Sequence, residues 1–168
     1  VVGVNDTGAV DAGSTLSVTP DSAGLLSNDT DNGVAALTVG EASVTEIRTG
    51  RENRSGTSGT VGSTLTGTYG TLTLNSDGTY TYVANTDAAK AIAPADTKID
   101  YFTYTISDGT STDTAQLAIT VTGINEAPTS TAPPTIRAVE NQPIKFQTKI
   151  FFDDPDPKNN TYGQLTYS

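Results

Sequence analysis

An all-β fold is what this sequence predicts, on three observations. Apolar and polar residues alternate strictly over several short segments, as they do where a strand buries one face. Turn residues recur about every 8–12 positions. Thr, Val, Gly, Ser and Asp dominate, and long helical periodicity is missing.

The elements follow in order. "TLSVT" at 15–19 and "ALTVGEASVTEI" at 36–47 read as strands. "RTGRENRSGTSGT" at 48–60 is polar and Gly/Ser-rich, and it carries Arg48, Arg51 and Arg54; it reads as an exposed, flexible loop. "GTLTLNSDGTYTYVAN" at 70–85 is a hairpin: Leu72 and Leu74 share one face, Tyr80 and Tyr82 share a face of the return strand, and Gly78 supplies positive φ in the turn. "NTDAAKAIAPAD" at 85–96 holds a short helical turn that Pro94 ends. "DYFTYTISDGTSTDTAQLAITVTG" at 100–123 is a second hairpin, with Phe102, Tyr104 and Ile106 facing one way, Leu117, Ile119 and Val121 matching them, and Asp108-Gly109 at the turn. Many short strands with regular turns make a β-sandwich of the immunoglobulin-like kind.

Composition removes several function classes. With 9 basic against 19 acidic residues the net charge is −10, which argues against a nucleic-acid partner and against adsorption to anionic lipid. Cys and His are both absent, so disulfides, thiolate chemistry and the usual zinc ligands are excluded. Oxygen ligands remain in quantity, and they suit hard cations such as calcium. No apolar run approaches the ~20 residues of a membrane-spanning helix.

The chain also resembles itself. "ND" at 5–6 recurs as "NE" at 125–126, "AVDAGSTLSV" at 9–18 as "AVENQPIKFQ" at 138–147, and "LSNDTDNGVAALTV" at 26–39 as "FDDPDPKNN…QLTY" at 152–167. One full unit over 1–125 and the N-terminal part of a second over 126–168 are expected, cut from a longer chain. The acidic clusters Asn28-Asp29-x-Asp31 and Asp153-Asp154-x-Asp156 therefore repeat near the start of each unit. Each is either a solvated acidic loop or the wall of a cation site where neighbouring units meet; carboxylates at roughly 4 Å repel by about 4 kcal/mol at an effective dielectric near 20.

"TVGSTLTGTYGTLTLNSDGTYTYVAN" (60–85) and "DYFTYTISDGTSTDTAQLAITVTGINEAP" (100–128) resemble the VCBS repeat, a bacterial cadherin-like module of large secreted adhesins, often of the RTX type. "AVENQPIKFQ…FFDDPDP…QLTYS" is similar to the start of a dystroglycan-type cadherin-like domain. The resemblance implies an extracellular Greek-key sandwich in a tandem array, its partners the neighbouring repeats of the same chain, with calcium stiffening the junctions. Carried over by position, the metal ligands it implies are Asn125 and Glu126 in the linker, Asp154 and Asp156 in the following loop, and Glu140 on the first strand of the second unit. Their counterparts in the first unit are Asp6, Asp29, Asp31 and Asp11, and Asp100 is expected to reach the lower junction. Gly123 stands where the animal-cadherin linker begins with an acid, which removes one ligand.

The function this implies is a calcium-stiffened spacer that supports cell adhesion or biofilm formation. A second reading is a glycan- or peptide-binding module that uses the 48–60 loop. A third is self-cleavage at the Asp154-Pro155 and Asp156-Pro157 bonds. No other catalytic arrangement is visible. Asp77 and Asp108 are explained by turn geometry, and the tyrosines at 69, 80, 82, 101 and 104 by sheet packing.

Overall fold

The computed structural model describes residues 1–19, 24–31, 33, 35–37, 40–125, 129–130 and 152–153. In chain order the elements are β1 (Asp6–Asp11), β2 (Thr15–Val18), a 3-10 turn (Leu25–Ser27), β3 (Thr30–Asp31), β4 (Ala35–Ala36), β5 (Ser43–Thr49), β6 (Ser58–Gly59), β7 (Thr64–Thr66), β8 (Thr71–Leu74) and β9 (Tyr80–Val83). They continue with α1 (Asp87–Lys90), β10 (Thr97–Ser107), β11 (Thr112–Thr122), β12 (Thr129–Ser130) and β13 (Phe152–Asp153). Of the two large sheets, one runs β1-β11-β10-β5-β6 and the other β2-β9-β8-β7; β3 pairs with β4 and β12 with β13 in two small ones. The chain leaves the first sheet after Asp11 and enters the second at Thr15, so β1 and β2 sit in different sheets. The pairings β2 with β9 and β5 with β10 then close a Greek-key sandwich.

The alternation read in the sequence makes the core. Leu72, Leu74, Tyr80, Tyr82, Phe102, Tyr104, Ile106, Leu117, Ile119 and Val121 are all buried. Tyr82 and Phe102 meet edge to face at 6.2 Å across the sheets. Both hairpin turns form at Gly residues with positive φ, 82° at Gly78 and 86° at Gly109. The helical turn α1 starts at Thr86, whose hydroxyl accepts a hydrogen bond from the Ala89 N–H, and it stops before Pro94.

Two expectations need correction. The 36–47 strand is interrupted: β4 ends at Ala36, a turn passes through Gly40 and Glu41, and β5 begins at Ser43. A β-alternating run does not reveal where the backbone must change sheets. The 48–60 segment is solvent-facing but is not a loose loop. Arg48 and Thr49 belong to β5, and Ser58–Gly59 pairs back on Ile47 and Arg48 as β6. The turn between them folds over the outer sheet face. The Arg48 guanidinium donates to the carbonyls of Arg51 at 3.0 Å and Glu52 at 2.6 Å, and the Thr103 hydroxyl donates to the Gly50 carbonyl at 2.9 Å.

The topology gives the unit two poles. β1 runs parallel to β11, with Asp6 opposite Leu117 and Asp11 opposite Thr122. The chain therefore enters at the pole of the β10–β11 turn and leaves at the other. Five strand steps of ~3.3 Å place Asp6 and Asp11 roughly 16 Å apart.

Candidate metal centre

At the entry pole the first residues are stitched to the loop after the 3-10 turn. Leu25 and Leu26 are buried and anchor that turn in the core. Val2 and Thr30 exchange backbone hydrogen bonds of 2.8 and 3.0 Å. This pairing brings Asn5-Asp6 against Asn28-Asp29, two motifs far apart in sequence. The Val4 N–H donates to Asp29 Oδ1 at 2.7 Å, and Asn28 Nδ2 donates to the carbonyls of Val4 and Asn5 at 3.4 Å. On the other side the Tyr104 hydroxyl donates to Asp6 Oδ2 at 2.5 Å. The Gly3 N–H donates to Asp113 Oδ2 at 2.9 Å.

Asp29 is fully buried, and among the described residues its Oδ2 has no hydrogen-bond partner. Burial pushes its carboxyl up to about 6, partly offset by the Val4 N–H and reinforced by the negative charge of Asp113. Asp6 is likewise pushed up to about 6 by burial; the Tyr104 hydroxyl lowers it, the Asp29 charge raises it again, and the Asn28 side chain lowers it a little. Burial and the same two carboxylates hold the Tyr104 hydroxyl protonated, so it stays a donor. Two carboxylates thus lie near one another with too few donors for their charge. A buried oxygen with no partner costs about 1–3 kcal/mol. Cation binding would remove that cost, and an all-oxygen donor set fits a hard divalent ion.

The expected ligands divide between the poles. Asp6, Asp29 and the exposed Asp31 on β3 lie at the entry pole, whereas Asp11 and Asn125 are exposed at the exit pole. Asp100, expected among the metal oxygens, is instead buried and held by the protein. The N–H groups of Thr68, Tyr69 and Gly70 and the Tyr82 hydroxyl all donate to its carboxylate, at 2.8, 2.8, 3.1 and 2.7 Å. Gly67 and Gly70 let the backbone come that close: a Cβ would lie 2.6 Å from Asp100 Oδ2 at the first and 2.4 Å from the Tyr82 ring at the second. Glu126, Glu140, Asp154 and Asp156 lie outside the described residues, as do both Asp-Pro bonds. Among the described residues no three acidic groups converge closely enough to hold a metal by themselves. Asp6 and Asp29 would therefore share an ion with carbonyl, amide or water oxygens, or with a preceding unit. Asp77 and Asp108 accept hydrogen bonds from their own turns, from Thr79 in one and from Thr110 and Ser111 in the other, as their Gly-flanked positions predict. Asp113 and Tyr104 are the members of the entry-pole cluster that sequence reasoning missed. Only the β10–β11 register brings them there.

The family model for the bacterial cadherin-like domain matches residues 1–123. The chain belongs to this family. Its members are adhesion-type modules, typically extracellular, and they generally bind calcium; they are not typically enzymes. No curated protein matches the chain. Within the family frame, the Gly-Thr-Tyr-Gly loop around Asp100 and the two Asp-Gly hairpins are the fold's own fastenings. The entry-pole carboxylates are the part that the fold leaves unfastened.

Proposed function

We propose that this bacterial cadherin-like unit is a spacer in a tandem extracellular array, stiffened by calcium where units meet, and that the array supports adhesion or biofilm formation. The observation that carries this reading is the buried, unpartnered Asp29 Oδ2 beside Asp6, at the pole where the chain enters. Asp29 and Asp6 would hold the ion, while Asn28 and Tyr104 orient them. A bound calcium ion supplies the positive charge that two desolvated carboxylates need. With entry and exit at opposite poles, each such site would sit between successive sandwiches and fix their angle. Asp11, Asn125, Glu126, Glu140, Asp154 and Asp156 would make the corresponding set at the next junction.

Extracellular sites of this kind have dissociation constants of ~10⁻⁴–10⁻³ M, so millimolar calcium would fill them outside the cell and micromolar calcium would not fill them inside. At 100 times the dissociation constant, binding contributes ~2.7 kcal/mol to stability. The test is a pair of melting curves of the 168-residue chain, in chelator and in millimolar calcium, with a calcium titration by calorimetry. A higher melting temperature with calcium and saturable binding are expected. Identical curves and no binding heat would remove the proposal.

A further inference from the structure

We propose that the cleft at the exit pole, between the 50–55 turn and the 66–68 loop, binds the carboxylate of an acidic polysaccharide. The cleft has a volume of about 590 Å³, within the usual range for ligand sites of roughly 300–1,000 Å³. Arg51 and Arg54 enter from one wall, Thr66 and Thr68 from the other, and Ile99, Asp100 and Tyr101 line it between them. In a chain of net charge −10 this is an unusual place to find two guanidinium groups.

One of the two is already positioned. The Arg51 guanidinium lies 3.9 Å from the centre of the Tyr101 ring and donates to the Tyr101 hydroxyl at 2.6 Å. A guanidinium has five N–H donors, so Arg51 keeps several for a ligand while its place is fixed. The turn beneath it is held by Arg48 and Thr103, and by Glu52, which accepts from the Thr114 hydroxyl at 3.0 Å. The entropy of ordering this loop is therefore spent in folding rather than in binding. Arg54 is exposed, and no ion pair involves it among the described residues. The one acid among the described lining residues does not compete with an anion: four donors already surround the Asp100 carboxylate.

The lining decides the class of ligand. Two guanidinium groups match a planar carboxylate, one of them by a fixed fork. Thr66 and Thr68 are exposed and offer hydroxyls for sugar hydroxyls. Ile99, 43% exposed, is the one aliphatic side chain among the described lining residues, and the Tyr101 ring is already covered by Arg51. A peptide would want a deeper apolar anchor than that. A uronic-acid glycan needs only a charged clamp and polar walls. No residue of this cleft belongs to the Asp6–Asp29 pair, so this site and the calcium reading stand or fall separately.

The test is a titration of the 168-residue chain, in chelator and again in calcium, with a short oligogalacturonate, the neutral oligogalactoside of equal length, and an acidic glutamate peptide. The acidic sugar is expected to bind at least about tenfold tighter than either other ligand, in both buffers. Arg54→Ala should weaken it about fivefold or more with an unchanged melting temperature, and Arg51→Lys, which keeps the charge but loses the fork, should weaken it by a similar factor. The proposal is overturned by absence of acidic-sugar binding at about 10 mM. Equal affinity for the neutral sugar, an Arg54→Ala variant that binds like the parent, or tighter binding of the peptide would each overturn it too.

Discussion

Among the described residues two aspartates are buried, one at each pole, and they are treated in opposite ways. At Asp100 three backbone N–H groups and the Tyr82 hydroxyl converge on the carboxylate. At Asp29, among the described residues, one backbone N–H reaches one oxygen, and the other oxygen is orphaned. Both cost desolvation, but only the first recovers it within the chain. The contrast separates a carboxylate that closes the fold from one that leaves the fold incomplete. It also explains why a single residue type, read from sequence, was expected to do one job at both ends.

The comparison breaks first at Asp100. Asp100→Ala would leave three N–H groups and a hydroxyl buried without an acceptor, in a loop too tight to rearrange. The expected loss is about 3 kcal/mol or more, enough to unfold a marginal domain. Asp100→Asn keeps part of the acceptor capacity and should lose less. Denaturant unfolding in chelator and in calcium would measure both. The loss should be the same in the two buffers, because this carboxylate's partners are all protein groups. A loss that appeared only with calcium would return Asp100 to the list of ligands.

Asp29 should behave in the reverse manner. Asn at this position accepts the Val4 N–H through its amide oxygen and carries no charge. Without calcium, Asp29→Asn is expected to match or exceed the parent in stability at pH 7. With calcium, the parent should gain up to ~2.7 kcal/mol and the variant little. Asp6→Asn should also reduce the calcium gain, while removing the acceptor of the Tyr104 hydroxyl. An Asp29→Asn variant that gains as much from calcium as the parent does would show that the orphaned oxygen has no part in binding.

Much of the fold was legible because it rests on local pattern. Period-two alternation located Leu72, Leu74, Tyr80, Tyr82 and the long β10–β11 pair, and Asp-Gly marked both turns. The "GTYG" string was legible as a family signature but not as a cradle, since its partner Asp100 lies some thirty positions downstream. For the expected metal ligands, what the string of letters hides is which end of a strand each occupies. Asp6 and Asp11 stand on one strand yet at opposite poles. Asp113 and Tyr104 joined the cluster through strand register, a non-local property. The 48–60 segment looked flexible because its residues are polar and small. It is held by hydrogen bonds from Arg48 and Thr103, and composition does not disclose such bonds.

The smallest effect, and the one that best sharpens the contrast, is on pH. Asp6 and Asp29 are both raised to about 6 in the folded chain, above the ordinary value of 3.8 that they regain on unfolding. The folded state therefore holds their protons more tightly than the unfolded state does. The stabilising contribution is complete below about pH 4 and is lost as pH rises through about 6. In chelator, the melting temperature should thus rise on going from pH 7.5 to pH 5, by a few degrees for a gain of about 1–2 kcal/mol over the coupled pair. Asp77 and Asp108 do not oppose this rise. Their turn hydrogen bonds hold both carboxyls below the usual range, so their contributions fade only below about pH 4. Asp29→Asn should flatten the slope. Calcium should invert the trend, because protons and a divalent ion compete for the same oxygens. A chelated chain whose stability is flat or falling from pH 7.5 to pH 5 would mean that the entry-pole carboxylates are better solvated than their burial implies.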